Sequence, residues 1–195
     1  MLNAKVYYPH LLETEVLKEM YSGSDNVPVS NDEVHSLLSS LPPLTTLIAY
    51  YTVPCELTEE GIVLNGRSAV LSYDALPGVI ISSSHITVYA ATIEPNSLKQ
   101  TQSNDDSFVS YVYGALNTYI LEDMVNSFQQ NIEDQFGREL LRVSPGYGNL
   151  ALNTQHDILN LLEKKGLPVI LDLDTCNLMP LYSTTGVIGP LDRIY

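Results

Sequence analysis

Cysteine, basic residues and long apolar runs are all scarce in this 195-residue chain. The two cysteines, Cys55 and Cys176, are far apart and form no CxxC pattern, so we expect reduced thiols rather than a disulfide framework or a zinc site. The four histidines are scattered, and none stands at ligand spacing from another metal-binding side chain. No metal site is therefore expected.

Basic residues number nine against 23 acidic ones, which gives a formal net charge of −14. Binding to nucleic acid or to an anionic membrane through a broad surface needs a basic footprint, so neither is expected. No apolar run reaches the roughly 18 residues that a membrane span requires. The first five residues lack the charged and then apolar pattern of a signal peptide, which favours a cytoplasmic location.

The periodicity of apolar residues predicts an α+β domain. Helices are expected from a capping box at Ser30 and Glu33 to residue 41, over residues 105–136 with Gly137 as the stop, and over residues 154–164. A short helix is the interpretation chosen for residues 68–76, and the pair Asn65-Gly66 before it indicates a tight turn. Strands are expected over residues 45–53, 62–64, 86–93, 139–143, 169–173 and 184–188. Strands in a run around one long helix argue against a regular βαβ repeat.

The segment from Arg142 to Gly148 carries the strongest functional signal. It combines an arginine, a proline, two glycines and Tyr147 within seven positions. Pro145 fixes φ, while Gly146 permits positive φ and lets a ligand approach the backbone closely. The arginine offers a rigid fork of five donors, and the tyrosine offers a ring face and a hydroxyl. Such a mixture is typical of a small-molecule site.

One interpretation of this segment is a dinucleotide fingerprint. Gly146, Gly148 and Ala151 have its spacing, and a carboxylate follows about 25 residues later at Asp172 or Asp174. The fingerprint normally opens a helix at its glycines, whereas the helical pattern here begins only near residue 154. Further βαβ units would also be needed, and few residues remain for them. The spacing alone is weak evidence.

A second interpretation comes from a resemblance. Residues 142–162, RVSPGYGNLALNTQHDILNLL, resemble the signature of the activation (reactivation) domain of vitamin B12-dependent methionine synthase, in particular its stand-alone relatives. Residues 180–189 are similar to a downstream segment of that family and residues 89–93 to an upstream strand. Glu122 stands on a helix similar to one that carries an acidic site residue, and Glu94 stands where the family usually has glycine. The resemblance covers residues 45–190.

The resemblance implies a fold and a function. The fold would be a twisted, mainly antiparallel sheet with a long central helix, in a single domain of residues 1–195 with an N-terminal helical part over residues 1–44 and an activation-domain-like core over residues 45–190. The protein would bind S-adenosylmethionine and assist reductive remethylation of the cobalamin carried by a partner corrinoid methyltransferase in methionine biosynthesis. A flavodoxin-type protein would be the reductant. The alternative is a binding or sensor module that keeps the fold without reactivation activity.

The resemblance also implies the ligand contacts, and the chemistry of the side chains suits them. A methionine carboxylate suits a bidentate Arg142, and the α-ammonium and sulfonium suit the carboxylate of Glu122. The ring of Tyr147 suits stacking on adenine. No residue is expected to act as a catalyst, because the chemistry would belong to the corrinoid. The predicted ligand-binding residues are Glu122, Arg142, Ser144, Pro145, Gly146, Tyr147, Ile188 and Gly189.

Overall fold

The computed structural model describes residues 2–22, 30–58, 61–64, 69–71, 79–81, 85–101, 106–147, 150–189 and 191–193. The helices of these residues are α1 (Glu13–Ser22), α2 (Asn31–Ser40), α3 (Pro95–Thr101), α4 (Ser107–Phe136) and α5 (Thr154–Leu162). The strands are β1 (Leu2–Tyr7), β2 (Leu44–Thr58), β3 (Gly61–Leu64), β4 (Ala69–Leu71), β5 (Val79–Ile81), β6 (His85–Ile93), β7 (Leu141–Val143), β8 (Ile170–Leu171), β9 (Leu178–Met179), β10 (Ser183–Gly189) and β11 (Leu191–Arg193).

The main sheet is antiparallel at every strand pairing among the described residues. Its order is β4-β3-β2-β6-β10-β7, and β1 pairs with the first part of β2. The long register between β2 and β6, from Thr46↔Ile93 to Pro54↔His85, forms its centre. The β-branched and aromatic residues of these two strands suit a pleated, buried surface. The predicted α+β class with a mainly antiparallel sheet is therefore confirmed.

Helix α4 is the long central helix that the apolar spacing predicts. The Asp106 side chain caps it by accepting hydrogen bonds from the backbone N–H groups of Phe108 and Val109. Gly137, with φ of 66°, ends it in the left-handed conformation that glycine adopts readily. One part of the helix packs on the sheet through Phe128, which contacts the Tyr89 ring.

The opposite face of the sheet is covered by α5. Ile158 and Leu162 of this helix pack against Val53, Val88 and Val187 of the sheet. The helix begins at Thr154, where the sequence predicts its start. The sheet is thus enclosed between α4 and α5. The edge strand β7 leads into the rest of the segment 142–147, which lies next to both helices.

Four predicted elements differ from the structure. The segment before residue 44 contains helices, but it also contains β1, which joins the sheet and was not predicted. The short helix expected over residues 68–76 is wrong at its start, because Ala69–Leu71 is a strand paired with β3. Its remaining part, and the predicted turn at Asn65 and Gly66, lie outside the described residues. The strands expected over residues 139–143 and 169–173 are shorter, at Leu141–Val143 and Ile170–Leu171.

Candidate functional site

The segment after β7 is a tight turn at the edge of the sheet. The Ser144 carbonyl accepts a hydrogen bond from the Tyr147 N–H at 3.0 Å, so residues 144–147 form a β-turn. Pro145 at the second position and Gly146 at the third, with φ of 87°, are the residues of a type II turn. A second bond joins the Gly146 N–H to the Leu150 carbonyl at 2.8 Å. Backbone geometry therefore explains why both proline and glycine occur here.

This turn leaves part of strand β10 without a neighbour. Val187 pairs with Val143, so Thr185 comes opposite Pro145 when the register is continued. Proline has no N–H to donate, and among the described residues no strand pairs with β10 beyond Val143 on this side. In an antiparallel pair, every second residue of a strand exchanges backbone hydrogen bonds with the neighbouring strand. The bond from the Ile93 N–H to the Tyr182 carbonyl shows that the series of alternate residues beginning with Tyr182 is the one that bonds to β6. By that alternation the backbone groups of Ser183 and Thr185 face the open edge.

Two charged side chains meet beside the open edge. The Arg142 guanidinium donates one hydrogen bond to Asn126 Oδ1 at 3.0 Å and another to Glu122 Oε2 at 3.3 Å. Asn126 and Glu122 both belong to α4, four residues apart, and so lie on the same face of the helix. The Glu122 carboxylate keeps 57% of its side-chain surface exposed, against 24% for Arg142. The carboxylate of the pair is therefore accessible from solvent.

A cavity of about 640 Å³ lies between β7, β10, α4 and α5. Of the eight predicted binding residues, it brings together Glu122, Arg142, Ser144, Pro145 and Tyr147. Gly146 shapes the turn without lining the cavity. The other two predicted residues, Ile188 and Gly189, do not line it either. The Ile188 side chain is packed in the core against α4, and both residues are buried.

The cavity also contains residues that the sequence analysis did not predict. The Gln155 side chain lines it and donates a hydrogen bond to the Cys176 carbonyl at 3.1 Å. Thr185 lines it as well, and its buried hydroxyl has no hydrogen-bond partner among the described residues. A buried polar group without a partner is rare in folded proteins and favours a ligand or water as the missing partner. The remaining unpredicted lining residues are Leu141, Val143, Leu178, Ser183 and Thr184.

Tyr89 lies beneath the cavity in the core. Its side chain is 1% exposed, and burial raises its pKa to about 12. The Arg142 charge and a hydrogen bond with Ser144 act in the opposite direction, while the Glu122 charge adds to the increase. The pKa of the buried phenol therefore depends on both members of the charged pair and on the first residue of the turn.

Exposed apolar side chains lie near the turn and in the segment before β10. The Tyr147 ring is 74% exposed, an unusually large fraction for an aromatic side chain in the absence of a binding partner. Leu141 and Leu152 near this turn are also exposed, as is Leu181 in the segment before β10. Glu94, which stands where the resembled family has glycine, lies elsewhere and accepts a hydrogen bond from the Ser97 N–H at the start of α3.

The dinucleotide interpretation is wrong. That fold requires parallel strands joined by helices, whereas β7 pairs with β10 in antiparallel register, as do all other described strands with their partners. Asp172 instead organises its own loop by accepting hydrogen bonds from the N–H groups of Asp174 and Thr175. A hydrogen bond with the Thr175 side chain, and then these two backbone bonds, hold the pKa of the Asp172 carboxyl below its usual range. Gly148 lies outside the described residues.

The fold and the cavity define an α+β domain with an open-edged site suited to a small ligand that carries charges of both signs. Comparison with solved structures finds the same fold in the crystal structure of the MetH reactivation domain bound to AdoHcy. The likeness has a TM-score of 0.63 at 13% sequence identity and covers 100% of this chain and 80% of that one. No protein-family profile matches the chain, and no curated protein matches it in sequence.

None of the helices in the described part of the chain combines the length and apolar character needed to cross a membrane. Within the same residues, no three histidine, cysteine, aspartate or glutamate side chains are grouped so that they could hold a metal ion.

Proposed function

We propose that the chain binds S-adenosylmethionine and its product S-adenosylhomocysteine (AdoHcy) in the cavity beside Arg142, and that it assists reductive remethylation of cobalamin on a separate corrinoid methyltransferase in the cytoplasm. The observation that carries the proposal is the open pair of Arg142 and Glu122 at the wall of a cavity in a reactivation-domain fold. That fold binds AdoHcy in the structural neighbour.

The charged pair suits the amino acid end of such a ligand. An α-carboxylate can take the fork of Arg142, and the α-ammonium can take the exposed carboxylate of Glu122. Because the two side chains already lie 3.3 Å apart, the two charges of one zwitterion can reach both at once. A ligand with only one of these charges would pair with only one of the two side chains. The other side chain would then face a group of its own charge or water.

The rest of the cavity suits the nucleoside end. Its volume of about 640 Å³ lies in the range of small-molecule sites, roughly 300–1,000 Å³. The exposed Tyr147 ring offers a stacking surface, and the unpartnered Thr185 hydroxyl offers a hydrogen bond to a ribose or base group. The Ser144–Tyr147 turn holds the Tyr147 ring on a fixed backbone, which limits the entropy lost on binding.

The protein would contribute binding and orientation, not covalent chemistry. The methyl group would come from S-adenosylmethionine and one electron from a flavodoxin-type reductant, both for delivery to the partner's cobalamin, with AdoHcy as the product that leaves. The exposed Tyr147 ring at the cavity would be part of the surface that faces the partner. In the alternative function, the same site would sense the ligand without serving a partner.

Calorimetric titration tests the binding step. AdoHcy and S-adenosylmethionine should bind the unmodified protein, and Arg142→Ala should weaken both by about 10- to 100-fold, because a hydrogen bond between charged groups contributes about 1.5–3 kcal/mol. Arg138→Ala is the matched control. It removes the same charge from an exposed position outside the cavity lining, so affinity should stay unchanged. Absence of binding at millimolar ligand would refute the proposal.

A second assay separates reactivation from sensing. The protein is mixed with S-adenosylmethionine, a reduced flavodoxin and a corrinoid methyltransferase in its inactive cob(II)alamin state, and the absorbance of methylcobalamin is followed. Formation that depends on this protein and is lost with Arg142→Ala supports reactivation. Tight ligand binding without methylcobalamin formation by any corrinoid partner tested supports the sensor function instead.

A further inference from the structure

Three residues from three neighbouring strands stand in one row beneath the cavity. Tyr89 of β6 pairs with Gly186 of β10. Continuing the register of β10 with β7 by one residue beyond Val187↔Val143 brings Ser144 opposite Gly186. Side chains in such a row project from the same face of the sheet. This face is covered by α4, whose residue Phe128 contacts the Tyr89 ring at a centroid distance of 6.0 Å.

The central glycine lets the tyrosine cross the row. A Cβ at Gly186 would lie 2.6 Å from the Tyr89 hydroxyl oxygen and 2.7 Å from two ring carbons, closer than side chains tolerate. The ring therefore lies directly over the Gly186 backbone and spans β10. Its hydroxyl thus extends across β10 toward Ser144 at the start of the turn, and an interaction with the Ser144 hydroxyl lowers the pKa of Tyr89.

The Ser144 end of this link belongs to the candidate site, while the Tyr89 end belongs to the core. Tyr89 is 1% exposed and does not line the cavity. Ser144 does line it and is two residues from Arg142, on the same side of the chain in the extended backbone. Contact with a rigid, buried phenol would thus limit the positions open to the turn and to the arginine before it.

From this geometry we propose that Tyr89 is a positioning residue of the ligand site, which acts through Ser144 and depends on glycine at position 186. The proposal rests on the proposed function for the identity of the ligand, but the link itself exists without ligand. Its role is to hold the Ser144–Tyr147 turn and Arg142 ready for binding, so that less order is lost when the ligand arrives.

The test removes one hydroxyl at a time. Tyr89→Phe should weaken AdoHcy binding by about fivefold, the effect of one hydrogen bond of roughly 1 kcal/mol. Because Tyr89 acts through Ser144, the double variant with Ser144→Ala should bind no more weakly than Ser144→Ala alone. Tyr111→Phe is the matched control. It also removes a phenol hydroxyl, which is bonded to the Met20 carbonyl away from the site, so it should lower the melting temperature without changing affinity.

A second readout needs no ligand. In the free protein, amide NMR resonances of Gly146 and Tyr147 should shift with Tyr89→Phe and stay in place with Tyr111→Phe. Unshifted turn amides in Tyr89→Phe would overturn the positioning role, as would affinity within twofold of the unmodified protein or additive losses in the double variant. If AdoHcy does not bind at all, the proposed function fails, and the amide shifts alone decide whether Tyr89 positions the turn.

Discussion

Two ion pairs lie on different sides of helix α4, and they differ in the exposure of their carboxylate side chains, which is 30% for Asp123 and 57% for Glu122. On one side, Asp123 pairs with Lys5 of β1 and also accepts a hydrogen bond from the buried Tyr7 hydroxyl at 2.7 Å. Lys5 donates a further hydrogen bond to Ser127 at 3.0 Å and lies 4.9 Å from the centroid of the Tyr7 ring. We call these four residues the β1–α4 junction.

On the other side, Arg142 and Glu122 form a looser arrangement. Their atoms are 3.3 Å apart, the carboxylate is mostly exposed, and the unpartnered Thr185 hydroxyl lines the same cavity. Adjacent residues of one helix, Glu122 and Asp123, therefore serve different ends. The Asp123 carboxylate of the junction holds the edge strand β1 against α4, whereas the Glu122 carboxylate of the cavity remains accessible to a ligand.

The largest expected effect comes from breaking the junction. Asp123→Ala leaves the buried Tyr7 hydroxyl and the Lys5 ammonium without their acceptor, and a buried polar group left unsatisfied costs about 1–3 kcal/mol. We expect the free energy of unfolding, measured by urea denaturation, to fall by about 2 kcal/mol. AdoHcy affinity should change less than twofold, and a loss of affinity comparable to that of Arg142→Ala would contradict the separation of the two sides.

High pH should distinguish the two buried tyrosines of these regions. Burial, and then the neighbouring Asp123, raise the pKa of Tyr7 far above its usual value, while burial raises that of Tyr89 to about 12. A raised pKa means that the folded state holds the proton more tightly. The stabilisation is complete below the unfolded pKa near 10 and is lost as pH rises toward the folded pKa.

Each such tyrosine should lower the free energy of unfolding by about 1.4 kcal/mol per pH unit above pH 10. For Tyr89 the decline should end near pH 12, so Tyr89→Phe should make the curve less steep between pH 10 and 12. Tyr7→Phe should reduce the slope across that window and beyond it. Urea denaturation at several pH values measures both slopes. A slope unchanged by either substitution would show that the pKa of neither tyrosine is raised in the folded protein.

The turn of the candidate site could be predicted from sequence because its determinants are local. Pro145 and Gly146 specify a type II turn by their own backbone preferences, and the structure contains it. Thr185 could not be found in the same way. Its exposure to the cavity depends on Pro145, 40 positions away, ending the pairing of β7 with β10. Gln155 is different: it lies within residues 142–162, which resemble the family signature, so this signal was available.

Long-range pairing also explains the elements that sequence reasoning missed. Strand β1 is mostly exposed and lies at an edge, so it lacks a clean alternation of apolar and polar residues. It becomes a strand through its register with β2, from Leu2↔Ala49 to Tyr7↔Leu44. For Ile188, the strand was predicted, but the face on which its side chain lies follows from the packing of α4.

The smallest expected effect on stability comes from the cavity pair, and it is the most informative for the comparison. Glu122→Gln removes the charge from a carboxylate that is 57% exposed, and exposed ion pairs contribute about 0–1 kcal/mol. The free energy of unfolding should change by less than about 0.5 kcal/mol, whereas AdoHcy affinity should fall several-fold because the ligand ammonium loses its partner. Asp134→Gln is a suitable control, since it neutralises an exposed α4 carboxylate outside the cavity lining. A Glu122→Gln variant that loses stability but keeps affinity would mean that the pair is structural, like the β1–α4 junction.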